Sequence, residues 1–366
     1  MKQSYSFRRT LSVLMLLLAP VLTWAYDFEA DGICYNITGA ATVEVTYRYS
    51  IPYSGDIVIP STVAYSIEDN TYIFRVTFIG GSAFYNCSSL TSIVIPESVT
   101  SIGNSAFSGC SSLTSIVIPN SVTSIGSEAF KGCSSLESIN IPESVTSIGD
   151  YAFLRCPSLT SMTVSEDNPV YDSREGCNAI IRTDTNTLIA GCMNTIIPDG
   201  VTSIGSEAFQ YCFFLTSIVI PDGVTIIGDY AFRSCFFLTS IIIPESVRSI
   251  GLDAFYGCSS LTTVICRAEK VPGLGIFVFL GVLQSEATLY VPVSALEKYK
   301  AASTWKSFGT ILPIEGNEDI INGIDSPAAL QPKEANAPYY TLDGKPTANP
   351  TRKGIYIKDG KKVMLR

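Results

Sequence analysis

The sequence predicts a mostly β solenoid of 23-residue coils, each made of a strand, an extended segment and a single helical turn. Three observations predict it. The block LTSIVIPESVTSIGNSAFSGCSS beginning at Leu90 returns at Leu113 with 19 of 23 positions unchanged. Further copies start at Leu136, Leu159, Leu215 and Leu238, and a fading one starts at Leu261. Phe84, Phe107, Phe130 and Phe153, then Phe209, Phe232 and Phe255, recur at the same spacing of 23, each followed three residues later by cysteine. A period between about 20 and 50 residues marks supersecondary units that bury their apolar faces only by stacking.

Each part of the coil follows from its local pattern. Ile93 and Ile95 alternate with Ser92 and Val94, the period of a strand with one face buried. Pro96 ends that strand because it has no N–H to give to a ladder. Val99 and Ile102 point inward from a second extended segment, Gly103 permits a tight corner, and Ala106, Phe107 and Cys110 have the spacing of one helical turn.

The pattern Leu-x-x-Ile-x-Ile is that of leucine-rich repeats, and IP-x-SVTSIG-x-x-AF-x-x-C resembles the BspA-like branch of bacterial surface proteins over about Asp56 to Ile314. The resemblance implies a right-handed leucine-rich repeat solenoid, a place on the outer surface of a bacterium, and adhesion to host extracellular proteins or to other cells. One departure is clear. Where ordinary leucine-rich repeats place asparagine after the strand, this chain has Ser98, Ser121, Ser144, Ser246, Gly200 and Gly223, so an asparagine ladder between loops is not expected.

Around the array the chain divides in order. Residues 1–25 carry Lys2, Arg8 and Arg9, an apolar run from Leu11 to Leu22 and a small residue at Ala25, which reads as a secretory signal peptide. The run is interrupted by Pro20 and falls short of the roughly 20 residues that span a bilayer, so the mature chain is expected to have no transmembrane helix. Residues 26–55, with alternating Val43, Val45, Tyr47 and Tyr49, suit an N-terminal β cap over the first open edge. The solenoid follows over 56–265. Its first coil is stretched, with a local excursion expected at Tyr65 to Thr77.

A second irregularity, about 165–192, reads as a hairpin insertion turning at Asp184-Thr185. That turn sets Ile181 opposite Leu188, Ile180 opposite Ile189 and Cys177 opposite Cys192. Opposed cysteines in an exported chain form a disulfide, or are simply both buried. Residues 266–314 have the pattern of an α/β C-terminal cap, with a short amphipathic helix Ser294 to Ala302 followed by Trp305 and Phe308. Residues 315–338 shift to a linker composition. The tail, 339–366, has strand-like pieces joined at Asp343-Gly344 and Asp359-Gly360, and it resembles a shortened C-terminal sorting domain of the type IX secretion route.

Composition excludes several functions. With no histidine there is no Ser-His-Asp or Cys-His centre and no HExxH zinc site, and neither GxSxG nor GxxxxGK[ST] occurs. An enzyme is therefore not expected, and catalytic residues, cofactors and a metal site are all read as none. The formal charge is −9, and loss of the three leader cations makes the mature chain more acidic still, unsuited to nucleic acid. Seven of the eleven cysteines form the repeat ladder and read as small buried apolar residues, since no CxxC spacing gathers them for metal. The row Glu97, Glu143, Asp199, Asp222 and Glu245 reads as a solvated edge, with calcium as the alternative.

Function is expected on the outward positions. Val94, Val117, Val219 and Ile242 belong to one stripe on the strand face, either because β-branched residues suit any sheet or because the stripe is a contact face. Most coils follow the ladder cysteine with Ser-Ser, yet two consecutive coils have Phe213-Phe214 and Phe236-Phe237, with Tyr211 beside them. An apolar patch on one edge is expected there, the alternative being that these rings fill the core. The partner is a protein, host or cell-surface, or a glycan; a passive structural role in the envelope is the remaining reading.

Overall fold

The computed structural model describes residues 26–49 and 51–319, together with the backbone of the tail strands Tyr339–Tyr340, Pro346–Thr347, Gly354–Lys358 and Lys361–Leu365. Residues 1–25, read above as a signal peptide, and most of 315–338, read as a linker, lie outside the described residues. The tail strands form one antiparallel sheet, in which Gly354–Lys358 pairs with Lys361–Leu365.

Every regular coil has three sides. On the first, short strands stack in parallel: Ser138–Ile141 pairs with Ser161–Val164, and Ser240–Ile243 with Thr263–Cys266. On the second, two-residue strands continue the ladder, Ser101–Ile102 against Ser124–Ile125 and then Ser147–Ile148. Both segments put the predicted positions inside, with Ile93, Ile95, Val99 and Ile102 all buried.

The third side departs from the expected helical turn. Ala106 N–H donates to the Gly103 carbonyl and Cys110 N–H to the Phe107 carbonyl, but Ser105 (φ 54°) and Gly109 (φ 80°) are left-handed and break the run. Reversing the backbone at these two positions, four residues apart, turns three alternate N–H groups toward the next coil. Ser105, Phe107 and Gly109 donate to the carbonyls of Ser127, Ala129 and Lys131 at 2.8, 2.7 and 2.7 Å. The third side is thus another intercoil ladder.

Inside it the phenylalanines are in register. Ring centroids lie 5.1 Å apart for Phe84–Phe107, 5.4 Å for Phe107–Phe130 and 5.6 Å for Phe130–Phe153. A second stack runs from Phe209 through Phe232 and Phe255 to Phe279. The spacing matches the separation of neighbouring strands, about 4.7–4.9 Å, plus a small offset. Glycine at the corner lets the coils approach this closely, since a Cβ on Gly126 would lie 2.5 Å from the Asn104 nitrogen.

The serines that replace the asparagine ladder make one of their own. Ser121, Ser144 and Ser246 each donate Oγ–H at 2.6 Å to the valine carbonyl of the preceding coil. Thr100, Thr123 and Thr225 do the same beside them, to Thr77, Thr100 and Thr202.

At the start, Phe28–Ala30, Ile33–Gly39 and Thr42–Val45 form an antiparallel meander whose last strand runs parallel to Asn70–Ile79. The stretched first coil is a hairpin, Thr62–Ile67 against Asn70–Ile79. At the far end the helix Leu296–Ala301 buries Tyr299, and Phe279 meets Trp305 and Phe308 edge-on.

The array is interrupted over about 165–192. The second-side ladder that begins in the N-terminal meander stops at Ser147–Ile148, and a separate one runs from Tyr171–Asp172 through Ala179–Arg182 and Thr187–Gly191 to Gly273–Leu274. The buried side chains divide at the same place into two clusters. The hairpin turns where expected and sets Ile181 opposite Leu188, but a bulge then shifts the register, so that Ile180 faces Ala190 instead of Ile189. One residue of slip reverses which face a side chain occupies. Cys177 therefore joins the second core cluster and Cys192 the first, both as free thiols. The expected disulfide is corrected on that ground. Each thiol donates instead to a backbone carbonyl, Cys177 to Ala179 and Cys192 to Asn178.

Candidate functional site

The interruption leaves a cleft. Regular coils cross from the second side back to the first through nine residues, Ile102 to Cys110, whereas the hairpin coil takes five, Leu188 to Cys192. Gly191 stands in the phenylalanine position, because its N–H donates to the Ala208 carbonyl just as Phe209 donates to Ala231. It has to be glycine: a Cβ there would lie 2.2 Å from the Phe209 ring. The missing outer turn opens a space of about 550 Å³ between residues 148–156 on one wall and 205–212 on the other.

Its lining is mixed. Phe153, at the end of the first aromatic stack, is partly exposed, whereas Phe84, Phe107 and Phe130 are fully buried. Tyr151 bonds to Glu207 across the cleft, and this contact lifts its phenol to about 12. Burial pushes the Glu207 carboxyl up, partly offset by the hydroxyl it accepts from Tyr151. The Arg155 guanidinium lies 4.2 Å from the centroid of the Tyr211 ring. Gln210 Oε1 and Arg182 Nε are inaccessible and have no hydrogen-bond partner among the described residues.

From Tyr211 the aromatic edge runs away from the cleft. Tyr211 meets Phe213 edge-on at 5.7 Å, Phe213 stacks on Phe236 at 5.2 Å and 3°, and Phe214 lies against Phe237 at 5.6 Å. All five rings are half-buried and none belongs to a core cluster, so they are neither the flat exposed patch nor the core filling that the sequence offers as alternatives. They form a ribbed strip in which two rings of one coil, Phe213 and Phe214, pair with two of the next, Phe236 and Phe237.

The strand-face stripe is only partly available. Val94, Val117 and Val219 are 56%, 80% and 45% exposed, but Ile242 is 3% exposed, a correction to its place in the stripe. Its neighbours in the ladder are the cause: Ile242, Ile265 and Tyr290 lie in register on successive strands and share a small buried cluster with Leu312 and Ile314. A shallow depression of about 340 Å³ next to it is lined by Ile196, Val219, Asp222 and Arg267. No group of acidic or cysteine side chains able to hold a metal occurs among the described residues, and none of their helices is long and apolar enough to cross a membrane.

The cleft itself escaped sequence reasoning. Its signal was the shortened interval between Leu188 and Cys192, visible only once the hairpin strand is aligned on the coil template.

Three-sided coils with an inner aromatic ladder define a leucine-rich repeat solenoid of the bacterial kind. The chain belongs to the BspA type leucine rich repeat region family, whose model matches residues 61–175 and 190–299 in 6 copies. The unmatched stretch between them falls on the hairpin. Among solved structures it is similar to the pneumococcal vaccine antigen PcpA, at 19% identity over 74% of this chain and 82% of that one, with a TM-score of 0.54. It is also similar to a leucine rich cell surface protein from Faecalibacterium prausnitzii, at 24% identity over 81% and 97% of the two chains, TM-score 0.37. A leucine-rich repeat protein from Eubacterium ventriosum is 22% identical over 77% and 91%, TM-score 0.48. No curated protein sequence matches the chain.

Proposed function

We propose that this is an exported protein of the bacterial outer surface that binds another protein through the edge bearing Tyr211, Phe213, Phe214, Phe236 and Phe237. The observation that carries the reading is the strip itself: two consecutive coils place phenylalanines where most others have serine, and the rings stand stacked and half-exposed outside the core. Rigid aromatic rings offer large contact area at little conformational cost, which is why they dominate interface energetics. Family membership supports an interaction role, and the leader-like residues 1–25 support export. The strand-face valines Val94, Val117 and Val219 offer a second, flatter contact area on the same molecule.

The test is capture of isolated surface proteins and of arrayed glycans by the purified mature chain, beside the double variant Phe213→Ser/Phe236→Ser. A protein partner bound by the wild type and lost by a variant that still melts as one folded array supports the reading. Retention of that partner by the variant, or capture of glycans alone, overturns it.

A further inference from the structure

The cleft left by the shortened coil is lined by backbone groups that the rest of the array pairs. In each regular coil three N–H groups on the third side donate to the next coil, as Glu128, Phe130 and Gly132 donate to the carbonyls of Asp150, Ala152 and Leu154. The equivalent donors one coil further on are the N–H groups of Tyr151, Phe153 and Arg155. None of the three bonds to any described residue. On the opposite wall the carbonyls of Ser206 and Gln210 are equivalent to those of Asp229 and Arg233, which accept from Glu207 and Tyr211. Ser206 and Gln210 accept nothing among the described residues, while Ala208 between them accepts from Gly191. Donors thus line one wall and acceptors the other, separated by the place of a single absent turn.

We propose that this cleft is a peptide-binding site, occupied by one short segment of a partner protein that completes the third-side ladder and places an aromatic side chain on the uncovered face of Phe153. Four features select that occupant. One wall presents peptide N–H donors at alternate residues and the other peptide carbonyl acceptors, the groups by which an added strand is recognised at a sheet edge. The apolar floor of Phe153, Leu159 and Ala190 ends an aromatic stack whose members elsewhere lie 5.1 to 5.6 Å apart, so a ring is the shape that continues it. The volume, about 550 Å³, is that of a small-ligand pocket and too small for a folded element. Arg155 stands at the mouth beside Tyr211, joining the cleft to the aromatic strip. The site deepens the proposed interaction role and rests on it; it shares Tyr211 with the strip but none of the four phenylalanines, so substitutions at Phe213 and Phe236 let the two fail separately.

The probe is a fluorescein-labelled peptide copying the array's own outer turn, Asn-Ser-Ala-Phe-Ser-Gly, the sequence of residues 104–109. Titration with the mature chain followed by fluorescence anisotropy is expected to saturate at micromolar to sub-millimolar protein. Replacing the peptide's phenylalanine by alanine should weaken binding at least tenfold. In the protein, Ala190→Trp fills the floor and should abolish binding, while Phe213→Ser/Phe236→Ser should leave it within twofold. Circular dichroism melting shows that each variant is folded. Should Ala190→Trp not fold, Phe153→Leu, which keeps the packing but removes the ring, takes its place with an expected loss of at least fivefold. No saturation up to 1 mM peptide, or equal binding by the alanine peptide, or binding unchanged in the filled variant, overturns the proposal. Loss of a natural partner in the strip variant with this binding intact would leave the cleft standing.

Discussion

The thiol of Cys133 donates to the backbone carbonyl of Phe107, 3.2 Å away in the preceding coil. The same bond joins Cys110 to Phe84, Cys156 to Phe130, Cys235 to Phe209 and Cys258 to Phe232. Each of these carbonyls already accepts an N–H within its own turn, as Phe107 does from Cys110. The thiol fills the second lone pair of a buried oxygen, so the cysteine ladder is polar as well as space-filling.

That dual role separates two substitutions. Cys133→Ser keeps a donor toward the Phe107 carbonyl, whereas Cys133→Val keeps apolar volume and loses the donor in a site that is 0% exposed. Serine should cost about 1 kcal/mol and valine about 2 kcal/mol or more, because valine adds crowding to the unpaired lone pair. Urea unfolding at neutral pH measures the difference, and a valine variant as stable as wild type would make the thiol a mere filler.

The same burial gives the array an alkaline limit. Desolvation lifts the thiols of Cys87 to about 11 and of Cys156 and Cys258 to about 12, from an ordinary value of 9.0. Cys110, Cys133 and Cys235 are pushed up for the same cause. Above pH 9 the unfolded chain releases these protons while the folded chain holds them, so the folded state binds more protons and stability falls as pH rises. Each thiol contributes up to about 1.4 kcal/mol per pH unit until its folded value is reached. Melting temperature should be flat from pH 7 to 8.5 and decline steeply between 9 and 11, and an array with several cysteines changed to alanine should decline less.

Close approach of the corners makes the glycines intolerant. A Cβ at Gly126 meets the backbone of Asn104 and Gly103 at 2.5 and 2.6 Å, and backbone has nowhere to move within a stack. Gly126→Ala should lower stability by about 1–3 kcal/mol. The exposed glycine Gly55 has nothing within 4 Å of its Cβ but has φ of +69°, so Gly55→Ala isolates the conformational part of the cost. Thermal melting of the two variants should place Gly126→Ala well below Gly55→Ala.

Much of this was written in the chain. Identical blocks at fixed spacing set the number and register of regular coils, because Phe107 and Phe130 can share one inner column only if the coils superpose. The strand positions of Ile93 and Ile102 followed from their periodicity. The single helical turn did not, since Ala106, Phe107 and Cys110 have helical spacing whether the residues between them are right- or left-handed, and only the φ values at Ser105 and Gly109 decide. Nor could the pairing of Cys177 with Cys192 be judged, because a bulge between Ile180 and Ile181 leaves no mark in composition. Burial of Ile242 depends on Tyr290 and Ile314, which lie far along the chain outside the repeat. Of the site residues, the aromatic strip was legible as a break in the Ser-Ser rule, while the cleft is made by residues that are absent.

Amide hydrogen exchange resolved to single residues tests the account most directly, since it reads the third-side ladder bond by bond. The Phe107 and Phe130 amides, bonded to Ala129 and Ala152, should exchange only through opening of the array, whereas the Phe153 amide, facing the cleft, should exchange at least a hundredfold faster. Equal, strong protection of all three would mean that the ladder runs unbroken through the hairpin coil, and would contradict it.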